Sequence, residues 1–278
     1  MKPEQITRRI GRVVSEKESR GEKPGAKEDS SLKRDEIFSD TTRAVSDFNF
    51  GETTAEVFED MLERSVPQYR ELERMLGELA AEFAVSGTNI YDLGCSNGIT
   101  LQTLARAIGA VGKEANLIGV DFSEAMLERA RERFAAQPAG RQPKLILADL
   151  NNGIAVENAS VVVLNLTLQF IRPLFRDRLI RQICDGMTEN GCLLLVEKVL
   201  GNQSLFNRLF IQFYYDMKRR NGYSDLEIAK KRESLENVMI PYRMDENVEL
   251  LSRNGFGGVD TFFKWHNFAG LIAVKMPS

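Results

Sequence analysis

Residues 89–109 restrict the fold most, because a buried-strand pattern there runs directly into a glycine turn and then into a helix. Residues 89–93 form a short aliphatic run that is typical of a buried parallel strand. Gly94 and Gly98 allow the backbone a tight turn, and residues 99–109 then repeat apolar side chains at helical spacing. This order predicts the start of a βαβ unit whose glycine turn a ligand can approach closely.

Strand and helix patterns alternate through most of the remaining chain, which is typical of an α/β fold with a parallel sheet. The further predicted strands are residues 116–121, 144–149, 161–166 and 191–197, with a closing pair at 257–275. The closing pair predicts an antiparallel edge on the sheet. Residues 203–237 are polar, aromatic and longer than a connection needs, so we expect a helical lid or a subunit contact there.

Composition separates residues 1–39 from the rest of the chain. They are dense in Lys, Arg, Glu and Ser, which predicts a charged, flexible N-terminal extension. The whole chain has 278 residues and is 43% hydrophobic, which is enough to bury one large core. We therefore expect one α/β domain over residues 40–278, with residues 203–237 as its helical insertion.

Charge and cysteine content narrow the classes of function. The net charge is -3, so no global basic field favours nucleic-acid binding. Cys95, Cys184 and Cys192 are odd in number and lack C-x-x-C spacing, which favours the cytoplasm and gives no sign of a metal site. His266 is the single histidine, so hydrolase chemistry that needs a Ser–His pair is disfavoured. We find no apolar run long enough to indicate a membrane span.

The ligand of the glycine turn is indicated by the acidic residues around it. Asp121 closes the next predicted strand, where a carboxylate can accept hydrogen bonds from both hydroxyls of a ribose. The turn has Gly94, Ser96 and Gly98 at alternate positions and lacks the G-x-G-x-x-G pattern of pyrophosphate sites. Asp92 would repel a pyrophosphate but attract the ammonium of a methionine tail. The pattern favours S-adenosylmethionine, with a nicotinamide enzyme as the alternative.

Other residues near the predicted strand ends are further candidates for this site. Asp149 and the adjacent Leu150 backbone are placed to meet the adenine edge, and Asn165 closes the following strand; each polar residue could instead cap a turn. The small residues of the turn would contact the methionine portion. We expect Cys95 there to behave as a small hydrophobic residue rather than as a nucleophile.

Several long segments resemble one family, the carboxy-S-adenosylmethionine synthases. They are AEVFEDMLERSVPQY at residues 55–69, YDLGCS at 91–96, IAVENASVVVLNLTLQFI at 154–171 and NGYSDLEIAKKRESLENVM at 221–239. The resemblance spans roughly residues 50–275. It implies a Rossmann-like class I methyltransferase fold with a mostly parallel seven-stranded sheet, an antiparallel edge strand and a homodimer.

The resemblance also implies a reaction: S-adenosylmethionine and prephenate yield carboxy-S-adenosylmethionine, phenylpyruvate and water, for later use in tRNA wobble uridine modification by another enzyme. Arg232 matches the family's carboxylate-binding arginine, and a guanidinium can hold a carboxylate bidentately. The alternative for Arg232 is a solvated helix face beside Glu227 and Glu233. The matching cofactor-contacting positions are Tyr69, Gly94, Cys95, Ser96, Asp121, Asp149, Leu150 and Asn165.

One position departs from the family pattern. Phe122 follows the predicted ribose-binding acid, where relatives often carry Asn; its backbone can still flank adenine and its ring can pack on the base. Two other functions stay open from the sequence: an ordinary methyltransferase of a small molecule or RNA, and a non-catalytic cofactor-binding scaffold.

Overall fold

The computed structural model describes residues 33–40, 42, 45–136 and 142–277. Lys33 begins the main compact unit, seven residues before the boundary that the sequence predicts at residue 40. The physical reason is Asp35, which is almost fully buried and accepts a hydrogen bond of 2.5 Å from the hydroxyl of Tyr223. The flexible extension predicted for residues 1–39 stays a prediction, since residues 1–32 lie outside the described residues.

Seven strands of the described chain form a single sheet in the order β3-β2-β1-β4-β5-β7-β6. They are β1 (Asn89–Leu93), β2 (Asn116–Asp121), β3 (Lys144–Leu147), β4 (Ala159–Asn165), β5 (Met187–Lys198), β6 (Phe256–Trp265) and β7 (Phe268–Lys275). β1 to β5 are parallel, and β7 runs antiparallel to both of its neighbours, β5 and β6. The predicted fold is confirmed, with the antiparallel strand one place inside the edge because the final hairpin inserts β7 beside β5.

The described chain contains eight α-helices, and none of them has the length and apolar character that a membrane span requires. They are α1 (Glu52–Ser65), α2 (Tyr69–Phe83), α3 (Ile99–Ala110), α4 (Glu124–Ala135), α5 (Pro173–Gly186), α6 (Ser204–Arg220), α7 (Asp225–Leu235) and α8 (Met244–Arg253). Single 3-10 turns follow β3 at Leu150–Asn152 and β4 at Leu168–Phe170.

The core lies on both faces of the sheet, because successive side chains of a strand point to opposite sides. Val162 and Leu164 of β4 belong to the cluster that includes α5 and α8, whereas Val161 and Val163 pack with α2 and α3. With both faces covered, the carboxyl ends of the parallel strands form the edge where polar side chains can meet a ligand.

The predicted insertion consists of α6 and α7. The start of α7 is fixed by a capping box, in which the Ser224 hydroxyl accepts from the Glu227 backbone and the Glu227 carboxylate accepts from the Ser224 backbone. Ile228, Lys231 and Ser234 form the buried side of this helix. The insertion therefore packs one face of α7 inward.

Candidate active site

A cleft of about 1340 Å³, its open mouth included, lies at the carboxyl ends of β1, β2, β4 and β5. The structure brings nine of the ten predicted site residues to its wall, from four separate parts of the sheet edge. They are Tyr69, Gly94, Cys95, Ser96, Asp121, Phe122, Asp149, Leu150 and Asn165. Arg232, the tenth, does not line it.

The glycine turn between β1 and α3 is held in a shape that other residues adopt poorly. Gly94 has φ of +83° and Gly98 has φ of +78°. A Cβ atom on Gly94 would also come within 2.3 Å of the Thr167 hydroxyl oxygen, which follows β4. Gly94 is thus required both by its backbone angle and by the close packing of Thr167.

Asp121 lies at the end of β2, beside the turn, and is almost fully buried. Its two carboxylate oxygens accept backbone hydrogen bonds of 2.9 Å each, one from Ser96 and one from Ser123. Burial raises the pKa of Asp121, and these backbone donors partly oppose that shift. A carboxylate oxygen has a second lone pair, so the side chain can still accept from ribose hydroxyls.

A second acid, Asp92, lies in β1 directly before the turn. It is almost fully buried, and neither of its carboxylate oxygens has a hydrogen-bond partner among the described residues. Burial, then the charges of Glu73 and Asp121, raise its pKa well above the usual range. A buried carboxylate without a partner is costly. This position therefore suits the ammonium group of the expected methionine tail.

Glu73 is a functional candidate that the sequence analysis missed. Its Oε1 accepts from the Thr100 hydroxyl at 2.8 Å and from Asn165 Nδ2 at 3.0 Å, while its Oε2 has no partner in the described structure. Tyr69 lies one helical turn earlier on α2, and burial followed by the charge of Glu73 raises its pKa well above the usual range. Glu73 follows Tyr69 by four residues, a spacing that places both side chains on one face of a helix. This spacing was the signal for Glu73 in the sequence.

Asp149 has the capping role that the sequence left open, while the adenine contact of Asp149 and Leu150 stays a prediction. The Asp149 carboxylate accepts from the backbone and side-chain nitrogens of Asn151, each at 2.9 Å, and so caps the 3-10 turn. Both Asp149 and Leu150 also line the cleft. The cap orients the short segment that faces the adenine end.

An aromatic wall closes this end of the cleft. The ring of Phe50 packs edge-on against Phe122, with centroids 5.8 Å apart, and against Phe170 at 5.3 Å. Phe122 is 57% exposed, so much of its surface remains open to a planar partner. Phe50 was missed because it precedes the strand pattern by forty residues and carries no spacing signal of its own.

Cys95 is buried, and burial together with nearby Asp92 and Asp121 raises the pKa of its thiol well above the usual range. A thiol in this state is a poor nucleophile, in agreement with the sequence expectation. No group of three or more potential metal ligands occurs in the described part of the chain.

The opposite end of the cleft is basic. Lys198, the last residue of β5, lines the cleft with its Nζ 4.9 Å from the ring centroid of Tyr214, and burial lowers its pKa to about 8. Lys231 also lines it, paired with Asp35 at 3.5 Å and donating to the Ser65 hydroxyl at 3.2 Å. The sequence missed Lys198 because the predicted strand ended one residue too early.

Arg232 is adjacent to Lys231 on α7 but is exposed. Successive helical residues point about 100° apart, so Lys231 faces inward while Arg232 does not. A single chain does not bring Arg232 to the cleft, and its carboxylate-binding role stays a prediction.

The fold is that of class I methyltransferases. Residues 90–191 match a family described as a methyltransferase domain. An O-methyltransferase family protein from Burkholderia thailandensis superposes with a TM-score of 0.59 at 17% identity, covering 98% of this chain and 68% of that one. Human N-acetylserotonin methyltransferase, solved with S-adenosylmethionine, gives 0.51 at 14% identity, covering 80% of this chain and 55% of that one.

Full-length similarity identifies the family within this class. A carboxy-S-adenosyl-L-methionine synthase from Methylococcus capsulatus is 56% identical over 244 residues, which cover 88% of this chain and 100% of that protein. One from Pseudoalteromonas atlantica is 43% identical over 242 residues, covering 87% and 98%. The chain belongs to the carboxy-S-adenosyl-L-methionine synthase family, a family of transferases.

Proposed function

We propose that this protein converts S-adenosylmethionine and prephenate into carboxy-S-adenosylmethionine, phenylpyruvate and water. The observation that carries the proposal is one cleft with opposite charges at its two ends. At one end Asp121 lines the cleft; behind the lining, Asp92 and Glu73 have unpartnered carboxylate oxygens, and Glu73 accepts from the lining residues Thr100 and Asn165. At the other end Lys198 lines the cleft with an ammonium that has no carboxylate partner among the described residues. Such a cleft suits a cationic donor placed against an anionic second substrate.

The residues of the acidic end would bind the donor in its two halves. Asp121 would accept from the ribose hydroxyls, and the wall of Phe50 and Phe122 would flank the adenine. Asp92 would balance the ammonium of the methionine tail, and Tyr69 would close the cleft above Glu73. Each of these groups can still accept a hydrogen bond or pack against a ligand after its contacts with the described residues.

The driving force of the reaction would come from prephenate. Loss of carbon dioxide and hydroxide rearomatises its ring, the hydroxide accepts a proton from the sulfonium methyl group, and that carbon forms a bond to the carbon dioxide. The protein's part would be to orient the two substrates and exclude water, since carbon dioxide that escapes is lost. The cleft walls are mostly apolar, which suits this task.

We further propose that the protein works as a homodimer in which Arg232 binds the newly formed carboxylate. Arg232 is exposed and does not line the cleft of its own chain, and α6 exposes the apolar side chains of Leu205, Phe206 and Phe213. Contiguous exposed apolar residues favour a protein contact. Sedimentation analysis should give twice the monomer mass; a monomer that is fully active would contradict the dimer.

Arg232→Ala tests the assigned role. We expect carboxylated product to fall by at least about tenfold while the affinity for S-adenosylmethionine is kept, because a charged hydrogen bond contributes roughly 1.5–3 kcal/mol. Arg220→Ala, at the end of α6, is the matched control for loss of an exposed arginine. Unchanged product formation by Arg232→Ala would remove this arginine from the reaction.

The experiment that tests the whole proposal is product analysis. The purified protein is incubated with S-adenosylmethionine and prephenate, and the nucleosides are separated by mass spectrometry. We expect a species heavier by one carboxyl group, together with an equal amount of phenylpyruvate. S-adenosylhomocysteine and a methylated acceptor would instead indicate an ordinary methyltransferase.

We also propose that the product supplies tRNA wobble uridine modification and that the protein is cytoplasmic. The first follows from family resemblance and from a net charge of -3, which gives no general attraction to RNA. The second is supported by three buried cysteines without disulfides.

A further inference from the structure

Lys198 is an ammonium group that the described structure leaves without an anion. It lines the cleft, and its Nζ makes neither an ion pair nor a hydrogen bond with the described residues; its close contact is the face of Tyr214 at 4.9 Å. The side chain is half-buried, so an anion bound in the cleft can reach Nζ and supply the missing partner.

The neighbouring lysines add to this positive charge. Lys218 is almost fully buried, with its Nζ 5.6 Å from the Tyr214 centroid and 5.1 Å from that of Tyr223. Lys231 is 5.5 Å from the Tyr223 centroid and pairs with Asp35. Burial, then repulsion from Lys231 and Lys198, lowers the pKa of Lys218 to about 7. Asp35, Asp60 and Glu227 act on Lys218 and Lys231, whereas no carboxylate acts on Lys198, which is therefore able to receive an anion.

Sheet order places Lys198 opposite the acidic end. β2, β1, β4 and β5 are neighbours, so the residues that follow one another along their carboxyl edge are Asp121, Asp92, Asn165 and Lys198. Neighbouring strands are about 4.8 Å apart, and the register places Lys198 four residues, roughly 13 Å, beyond the level of Asp92, so the two backbones are roughly 16 Å apart. An anion at Lys198 would therefore lie farther out along the same cleft than the methionine tail of a donor held at β1 and β2.

We propose that Lys198 binds the carboxylate that the second substrate keeps through the reaction, which for prephenate is that of its pyruvyl side chain. The choice of prephenate rests on the proposed function. The choice of carboxylate follows from charge: the other carboxylate becomes neutral carbon dioxide, and a cation on it would stabilise the reactant more than the transition state. A retained carboxylate keeps its charge, so Lys198 would bind it equally well in the reactant and in the transition state.

Two variants test this assignment by calorimetry on the full chain saturated with S-adenosylhomocysteine. Lys198→Met keeps the side-chain length and removes the charge, and Lys144→Met removes the charge of an exposed lysine at the start of β3. We expect Lys198→Met to weaken the binding of both prephenate and phenylpyruvate by roughly 10- to 100-fold, the effect of losing a charged hydrogen bond. Lys144→Met should bind both ligands like the wild type. Neither variant should lower the melting temperature or change the affinity for S-adenosylhomocysteine.

Three results would overturn the proposal. Unchanged binding of both ligands by Lys198→Met, or no binding of either ligand by the wild type, would exclude Lys198 as their anchor. Weakened prephenate with unchanged phenylpyruvate would assign Lys198 to the leaving carboxylate. An equal loss of S-adenosylhomocysteine affinity would show that Lys198 is structural. In steady-state turnover, the supporting outcome is a raised KM for prephenate with kcat kept within a few-fold.

The proposed function and this inference fail separately. If wild-type protein binds prephenate through Lys198 but forms no carboxylated nucleoside, the proposed function fails and the role of Lys198 stands. If product forms and Lys198→Met binds both carboxylates like the wild type, the function stands and the role of Lys198 fails.

Discussion

The two ends of the cleft are built from different parts of the chain and carry opposite charge. The acidic end is formed by β1, β2 and α2, with Asp92, Asp121 and Glu73, and belongs to the sheet and its packed helices. The basic end combines the last residue of β5 with Lys218 and Lys231 of the helical insertion. We infer from this comparison that the common fold forms the binding site of the donor, while the insertion contributes to the binding site of the second substrate.

The largest effect should come from closing the acidic end. Gly94→Ala adds a methyl group 2.3 Å from the Thr167 hydroxyl at a φ of +83°, so strain and overlap act together. These costs of about 1–3 kcal/mol each predict a loss of S-adenosylhomocysteine affinity of more than about 100-fold by calorimetry.

Gly112→Ala is the matched control for that change, because Gly112 has φ of +70° and open space around its Cβ position. It should lower the melting temperature slightly and leave the affinity unchanged. Equal affinities for both variants and the wild type would contradict the role assigned to the turn.

Asp92→Asn should weaken S-adenosylhomocysteine binding by about tenfold or more, because the ligand ammonium loses its carboxylate partner. It should also change stability with pH in the unliganded protein. Since the folded-state pKa of Asp92 is raised, mainly by burial, the wild type loses stability as pH rises from about 4 through that pKa. The variant should lack this loss. Parallel melting curves against pH would contradict the burial of an unpaired carboxylate.

The dependence of kcat/KM on pH tests the role of Lys198 at the basic end. Burial lowers the pKa of Lys198 to about 8, so kcat/KM for prephenate should fall as the pH rises through about 8 and the ammonium deprotonates. Burial also raises the pKa of the adjacent Glu197 to about 8. Lys218, Lys231 and Tyr214 are the other titratable groups around Lys198.

Lys198→Arg separates these groups, because arginine stays charged over this range. The variant should lose the fall, which we expect to be up to about tenfold between about pH 7 and about pH 9. A fall that persists in Lys198→Arg would assign the titration to Glu197 or to a neighbouring lysine.

The smallest effect should come from Phe122→Asn, which introduces the residue that the family resemblance leads us to expect at this position. Its edge contact with Phe50 contributes about 0.5–1.5 kcal/mol, so S-adenosylhomocysteine affinity should change by less than about tenfold. Prephenate binding should not change, since Phe122 lies at the adenine end. A change confined to prephenate would contradict the division of the cleft.

The sequence predicted the fold and the acidic end because both depend on local patterns. A strand that ends in Asp121 or Asn165 can be read from alternating apolar runs, and parallel strands bring such ends together. Glu73 was not predicted, since its role depends on how α2 packs against α3 and β4. Lys198 was missed by a strand boundary of one residue, the least reliable part of such a prediction.

The N-terminal boundary and Arg232 show the limit of composition and motif. Residues 33–39 look like a charged extension, yet Asp35 is buried beside Tyr223 and Lys231, a partnership between residues far apart in the chain. Arg232 matches a motif, but it is exposed, whereas the adjacent Lys231 on the same helix is buried. The local spacing of residues predicts neither the burial of Asp35 nor the exposure of Arg232.

The most direct test of the two-ended cleft is a crystal structure of the protein with S-adenosylhomocysteine and prephenate. We expect the ammonium of S-adenosylhomocysteine to lie beside Asp92 and the pyruvyl carboxylate of prephenate to lie within about 3 Å of Lys198 Nζ. Prephenate bound with both carboxylates away from Lys198, or at the acidic end, would contradict it.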